Sequence, residues 1–330
     1  MGLFFQSRRT PPPPAPDEST LNVPLRVEAF VAFGKPSQVS FLAPNGDEQA
    51  NRFMAELAVA ISNLEGRLDR RNPQSQVSEI NRNAGVGWVS VDPEMEGFLT
   101  LCDSVPFMTQ GILDPSILPL VDLWERISTE GGFPAAEEVS QARALVGWGK
   151  LQRRFGQVFL PEKGMGLDLG CVAYGMAADT IAQLAGGHAI PGALVEVGPA
   201  CRSVGQPPGK SAWSIKLEDP KEVGKTSLLE LFNRAAFISG RDDQALVVGD
   251  RAFPAIIDPK TGWPVANGTL RTAVLAPNAI QAGIVATTAF ILGLPAGIDF
   301  IQSFPNCEGT IITAATRGQT RGYLELSSPR

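Results

Sequence analysis

The sequence is poor in the groups that most hydrolytic and metal sites need. It has a single histidine, His188, in 330 residues. That excludes every paired-histidine mechanism and most zinc sites, which draw on several imidazoles or thiolates. His188 follows a helical pattern in a Gly-Gly-His turn, where a surface loop position is expected and a lone catalytic base is the competing role. The four cysteines (Cys102, Cys171, Cys201, Cys307) are widely spaced and form no CxxC pair. Reduced thiols of a cytoplasmic protein are the expectation, with scattered disulfides as the alternative. No apolar run reaches the roughly 18 residues of a membrane span. No long basic run is present, and a formal net charge of −6 with a pI near 5.1 argues against a nucleic-acid surface.

Core material is plentiful. Hydrophobic residues make up 44% of the chain and charged ones 19%, enough for two ordinary domains or one large one. The first twenty residues, MGLFFQSRRTPPPPAPDEST, put their arginines after a short apolar patch, the wrong order for a signal peptide. Gln6 stands where a myristoylation pattern needs Ser or Thr. Residues 1–20 therefore read as a disordered proline-rich tail, with Pro11–Pro14 as a spacer or a polyproline ligand. A cytoplasmic location is expected.

The most informative stretch runs from Lys163 to Thr180, KGMGLDLGCVAYGMAADT. Leu167 and Leu169 flank Asp168 with the alternation of a short strand, and Val172, Gly175, Met176, Asp179 and Ile181 then recur at helical spacing. A strand entering a helix through Gly170 aims backbone N–H groups and the positive end of the helix dipole at whatever lies before it. The competing reading is a tight turn and nothing more.

Elsewhere, RVEAFVAF and SQVSFLA suggest a strand pair broken at Gly34-Lys35-Pro36. The next helix puts Met54, Leu57, Ile61, Leu64 and Leu68 on one face. Asp92-Pro93 opens a second helix with Met95, Phe98, Leu99, Cys102 and Val105 inward, which Pro106 should kink or end. Residues 111–124 read as a buried loop with a short helix, 134–146 as an amphipathic helix, and 156–169 as a hairpin. From Gly192 to Ile257 the chain is β-rich, ending at the turn signal Asp258-Pro259-Lys260-Thr261-Gly262. LRTAVLA is a further strand, and residues 278–292 form a helix with Ile280, Ile284, Thr287 and Ile291 along one side. A short helix over 296–303 and a hairpin turning at Arg317-Gly318-Gln319 close the chain. Helices and strands fall in separate clusters, so the fold class is α+β with antiparallel sheet.

Six local strings, in order between about Arg26 and Leu294, resemble the FAD:protein FMN transferases of the ApbE type. They are RNPQSQVSEIN (71–81), GILDPSILPLVDLW (111–124), GLDLGCVAYGMAAD (166–179), WSIKLEDP (213–220), ISG (238–240) and IIDPKTGWP (256–264). The resemblance implies one two-lobed domain over residues 21–330. It also implies magnesium-dependent cleavage of FAD between its phosphates, with transfer of FMN to a Ser or Thr of a partner flavoprotein. The flavin pocket it implies uses Gly111, Ile112, Leu113, Asp168, Ser239, Gly240 and Ile257. Each has a structural alternative as a turn, a core residue or a cap.

The same resemblance assigns magnesium to the main-chain carbonyl at Cys171, the Thr287 hydroxyl and an aspartate. In Ala282-Gly283-Ile284-Val285-Ala286-Thr287 the aspartate has become Gly283. Asp242, Asp243 and Asp258 are the candidate replacements, Asp258 with a competing role as a turn cap. The family's lysine is Tyr174, its histidine before I-I-D-P is Ala255, its early tyrosine is Arg71, and its M-G-T start is Phe33-Gly34-Lys35. No side chain is therefore assigned a catalytic role. Three readings follow: an active transferase with an altered metal site, a silent FAD-binding homologue, and an interaction scaffold. Nucleic acid and membrane are not expected partners, and homo-oligomerisation is left open.

Overall fold

Two helices packed at right distance from an antiparallel sheet set the geometry of the whole molecule. The structure, a computed structural model, describes residues 13–222, 224–240, 245–249 and 251–329. Its main sheet has the order β1 (Leu25–Ala32), β2 (Lys35–Leu42), β6 (Gly192–Val197), β7 (Ala200–Gly205), β10 (Ala235–Ser239), β13 (Thr269–Ala276), β14 (Glu308–Thr313) and β15 (Arg317–Gln319). Every pairing in it is antiparallel. Strand alternation sends Ala193, Val195 and Val197 to one face and Leu194 to the other.

The first face carries the helices α1 (Gly46–Leu68), α3 (Pro93–Met108), α6 (Gly170–Gly187) and α7 (Ala279–Leu292). The second is covered by a three-stranded sheet, β8 (Trp213–Glu218), β9 (Thr226–Leu231) and β16 (Ser327–Pro329). A third apolar cluster joins α4 (Leu118–Glu130) and α5 (Ala136–Leu145) to the hairpin β11 (Ala245–Val248)–β12 (Arg251–Pro254), around Trp124. The architecture is α+β, as the clustered elements imply. No helix among the described residues is long and apolar enough to cross a membrane.

The inward face of α3 is the one the spacing predicts, with Met95, Phe98, Leu99, Cys102 and Val105 all buried. Asp92 caps it by accepting from the Met95 N–H at 2.7 Å. On α1, Leu57, Ile61 and Leu68 are buried and Phe53 joins them, while Met54 and Leu64 pack at the edge. Cys102, Cys201 and Cys307 are buried and form no disulfide. Of the segment read as a tail, residues 1–12 lie outside the described residues. The Pro14 and Ala15 carbonyls accept from the Gln206 amide at 3.1 and 3.0 Å, and Asp17 caps a 3₁₀ turn over Glu18–Thr20.

Several local expectations are corrected. Leu167–Leu169 is not a strand: the Asn81 side chain accepts from the Leu167 N–H at 2.7 Å and donates to the Leu167 carbonyl at 3.0 Å, so one amide takes both groups a neighbouring strand would pair. The hairpin is β4 (Gln152–Arg154) with β5 (Gln157–Phe159), turning at Phe155-Gly156. Pro106 does not break α3, because within the last turn its missing N–H forfeits one ladder bond only. Residues 317–319 form a strand, not a turn. The turn is at Thr313–Thr316, where the Thr313 hydroxyl accepts from the Thr316 N–H at 2.9 Å. His188 is not a free surface histidine. Its Nε2 lies 2.9 Å from a Glu56 carboxylate oxygen and its ring sits edge-on to Phe53.

Helices α6 and α7 meet without a side chain between them at one point. A Cβ on Gly175 would lie 2.7 Å from the Ala279 carbonyl oxygen, so only glycine fits. One turn on, the Asp179 carboxylate accepts from the N–H groups of Ala279 (3.0 Å) and Ile280 (3.2 Å), with Arg202 Nε at 3.4 Å. Burial raises the Asp179 pKa, an effect the two N–H groups and Arg202 only partly offset. Asp179→Ala leaves two helix N–H groups and Arg202 without their acceptor. It is expected to cost about 3 kcal/mol, read as a lower urea midpoint at unchanged slope.

Candidate functional site

The loops at one end of the α6–α7 pair enclose a cleft of about 400 Å³, within the size range of small-molecule sites. One wall is the β1–β2 turn with Phe33 and Lys35, followed by residues 68–71 after α1. The loop 113–117 and the α6 start with Asp168, Gly170 and Tyr174 form the base. The far wall is Gly198-Pro199, the end of β10 through Gly240, the segment 254–257, and Thr287 with Ile291 of α7.

Helix α7 is largely apolar. Gly283, Ile284, Val285, Ala286, Thr288 and Ala289 are buried, whereas Ile280, Thr287 and Ile291, on the side the spacing marks out, are half-buried. Thr287 and Ile291 face the cleft. The Thr287 hydroxyl lies 3.4 Å from that of Ser239.

Charge in the cleft is organised by Arg70, which sequence reading passed over in favour of Arg71. Its Nε meets Asp168 at 2.8 Å and its Nη2 meets Glu125 at 2.5 Å, with Asp122 at 4.0 Å. Burial alone would lower its pKa; Asp168, Glu125 and Asp122 together reverse the sign and hold it above the ordinary arginine value. Burial raises the Asp122 carboxyl, opposed by Arg70. The available signal in the sequence was the consecutive pair Arg70-Arg71 at the end of an amphipathic helix, where one side chain must turn inward.

The predicted site residues divide. Leu113, Asp168, Ser239, Gly240, Ile257 and Thr287 all line the cleft. Gly111 and Ile112 do not. Gly111, at φ +71°, donates to the Pro106 carbonyl and closes the end of α3, and the Ile112 N–H bonds back to Thr109. Cys171 is the second residue of α6. The helix start is not an open anion cradle. The Gly170 N–H is taken by Asp168 Oδ1 at 3.0 Å, and those of Val172 and Ala173 by the Leu169 carbonyl. Asp258 accepts from the Lys260 N–H within its own turn and does not line the cleft. Asp242 and Asp243 lie outside the described residues.

Tyr174 lies edge-on to Phe33, ring centroids 5.5 Å apart, and packs against Gly198, where a Cβ would come within 3.0 Å of its ring. Burial raises its phenol pKa, with Arg71 pulling the other way. The phenol is neutral throughout the physiological range. Ala255 lines the same cleft.

A family model described as the ApbE family matches residues 33–311. The chain belongs to the ApbE family. A protein named FAD:protein FMN transferase from Treponema pallidum is 26% identical over 301 residues, covering 86% of this chain and 83% of that one. Its Escherichia coli counterpart is 25% identical over 303 residues, covering 88% and 84%. The apo crystal structure of the flavinyl transferase ApbE from Pseudomonas stutzeri superposes with a TM-score of 0.79 at 19% identity, over 92% of this chain and 97% of that one. The ApbE protein of Thermotoga maritima gives 0.79 at 22%, over 92% and 99%. At such identities the structural matches establish the fold.

The magnesium implied by the resemblance does not find its ligands among the described residues. Position 283 has no side chain, and no group of three or more His, Cys, Asp or Glu side chains converges there as a metal site. Asp168 is engaged by Arg70. The Asp114 carboxylate accepts from Ser116 and from the Trp148 N–H. A magnesium ion needs anionic oxygens at near-octahedral geometry, which one hydroxyl and one carbonyl do not supply.

Replacing Arg70 by Met strands Asp168 beside apolar walls and is expected to cost about 3 kcal/mol. Asp122→Asn, removing only the 4.0 Å contact, is expected to change stability by less than about 0.5 kcal/mol. Thermal denaturation of the two variants against the parent checks the contrast; equal losses would contradict the Arg70–Asp168 assignment.

Proposed function

We propose that this chain is a flavin-nucleotide-binding member of the ApbE family that does not carry out magnesium-dependent FMN transfer. The observation supporting this is convergence. Tyr174, Ala255 and Gly283 stand where the family pattern has lysine, histidine and aspartate, and they are far apart in sequence. Tyr174 and Ala255 line one cleft, and Gly283 lies one helical turn before Thr287, which lines it too. A metal carboxylate, a cation and a titratable imidazole are thus missing from a single place. What stays there is a cleft of about 400 Å³ that pairs apolar and aromatic side chains with Lys35, Arg70 and Arg71. That is the chemistry of holding a planar ligand and not of ionising a hydroxyl.

Within this reading, Leu113, Ile257, Ser239 and Gly240 shape the slot. Asp168 acts through Arg70, holding the wall that carries Arg71. Thr287 and the Cys171 carbonyl are the surviving parts of the metal position and do not retain an ion between them. Magnesium, if it bound, would neutralise charge on the diphosphate; among the described residues none replaces the carboxylate that would keep it. A partner flavoprotein is then a binding partner at most, not an acceptor of FMN. Buried thiols with no disulfide at Cys102, Cys201 and Cys307 accord with a cytoplasmic location.

The test is FAD titration of the purified protein with and without magnesium, followed by assay for released AMP. Binding without AMP release is the expected result, and magnesium-dependent release would establish an active transferase instead. Gly283→Asp alone is expected to leave AMP release undetectable, since Tyr174 and Ala255 are unchanged. Full activity from that single substitution would contradict the weight placed on the other two.

A further inference from the structure

We infer that Arg71 neutralises the phosphate of the bound flavin nucleotide while Tyr174, braced by Phe33 and Gly198, holds its ring, so that binding needs no metal. This rests on the flavin-binding reading above and adds the residues that set ligand class.

The argument begins with which charges are available. Among the described residues, three cationic side chains line the cleft: Lys35, Arg70 and Arg71. Arg70 is committed, with two carboxylates at 2.8 Å or less and its side chain 15% exposed. Arg71 is 61% exposed, and its one ion pair is a loose 3.6 Å contact to Glu125, an oxygen already bonded to Arg70. A planar fork so placed can turn to a phosphate at little cost, giving two parallel charge-assisted hydrogen bonds. Lys35 carries no ion pair among the described residues and adds a second, more diffuse charge.

The aromatic side is built in the opposite way. Tyr174 is half-buried, held by the edge contact to Phe33 and by the close approach of Gly198. Its ring is therefore fixed before a ligand arrives, and a neutral phenol offers a face and one hydroxyl. A rigid aromatic paired with a mobile cation fits a planar ring with an anionic tail. Arg71 and Tyr174 line the same cleft, so one ligand can meet both.

The experiment is fluorescence titration of riboflavin, FMN and FAD in EDTA with the parent protein, Arg71→Gln and Tyr174→Leu. The parent is expected to bind FMN and FAD more tightly than riboflavin. Arg71→Gln should weaken FMN and FAD by about ten-fold or more, the size of a lost charge-assisted hydrogen-bond pair, and leave riboflavin within about two-fold. Tyr174→Leu should weaken all three alike. Circular dichroism and the unfolding midpoint show that each variant is folded. If Arg71→Gln lowers riboflavin and FMN affinity equally, or neither, the phosphate assignment is wrong while flavin binding stands. Should the parent bind none of the three flavins, the proposed function falls and this assignment with it.

Discussion

The carboxylate of Asp179 seats one helix on another, and the cleft exists because it does. It closes the N-terminus of α7 against the middle of α6, four residues beyond the point where Gly175 lets the backbones touch. With that junction fixed, the first turn of α6 and the third turn of α7 open toward the same space. Tyr174 and Thr287 then line one cleft, and the end of β10 brings the Ser239 hydroxyl to 3.4 Å from that of Thr287. A buried carboxylate is costly to hold. Here it is held by two helix N–H groups and Arg202, which makes the arrangement specific: no neutral apolar side chain could set the same distance and angle.

Electrostatics then separates the wall from the ligand site. Arg70 draws together two distant parts of the chain, Asp168 before α6 and Glu125 with Asp122 on α4, and its charge is satisfied inside the protein. Its neighbour Arg71 is mostly exposed and shares the same Glu125 oxygen only at 3.6 Å. The acidic groups of the cleft are likewise engaged, Asp168 by Arg70 and Asp114 by Ser116 and Trp148. Among the described residues this leaves a slot in which an anion meets cations and a cation meets no free carboxylate cluster. The retained fold and the substitutions at Tyr174, Ala255 and Gly283 are then not in tension, because the α6–α7 junction and the Arg70 ion pairs are made by other residues.

Much of this was legible in the sequence where periodicity or turn chemistry governs. The α3 stripe, the Asp92 cap and the β1–β2 pair follow from spacing alone. The failures arise where a partner that periodicity does not show, distant or local, takes a backbone group. Asn81 satisfies Leu167 as a strand would, so an alternating pattern stays a loop. Asp168 and Leu169 occupy the N–H groups of a helix start that spacing alone presents as open. Of the residues the motif strings single out, Leu113, Asp168, Ser239, Gly240 and Ile257 line the cleft, as does Thr287 of the α7 motif, while Gly111 and Ile112 do not. Arg70 and Asp179 carry no local signature of what they do, since their partners lie far away in the chain.

The most direct test of the account is a crystal structure of the FAD complex grown with magnesium present. The account predicts the isoalloxazine ring beside Phe33 and Tyr174, phosphate oxygens on the Arg71 guanidinium, and no metal at Thr287. An octahedral ion joining the phosphates to the Thr287 hydroxyl and the Cys171 carbonyl would contradict it.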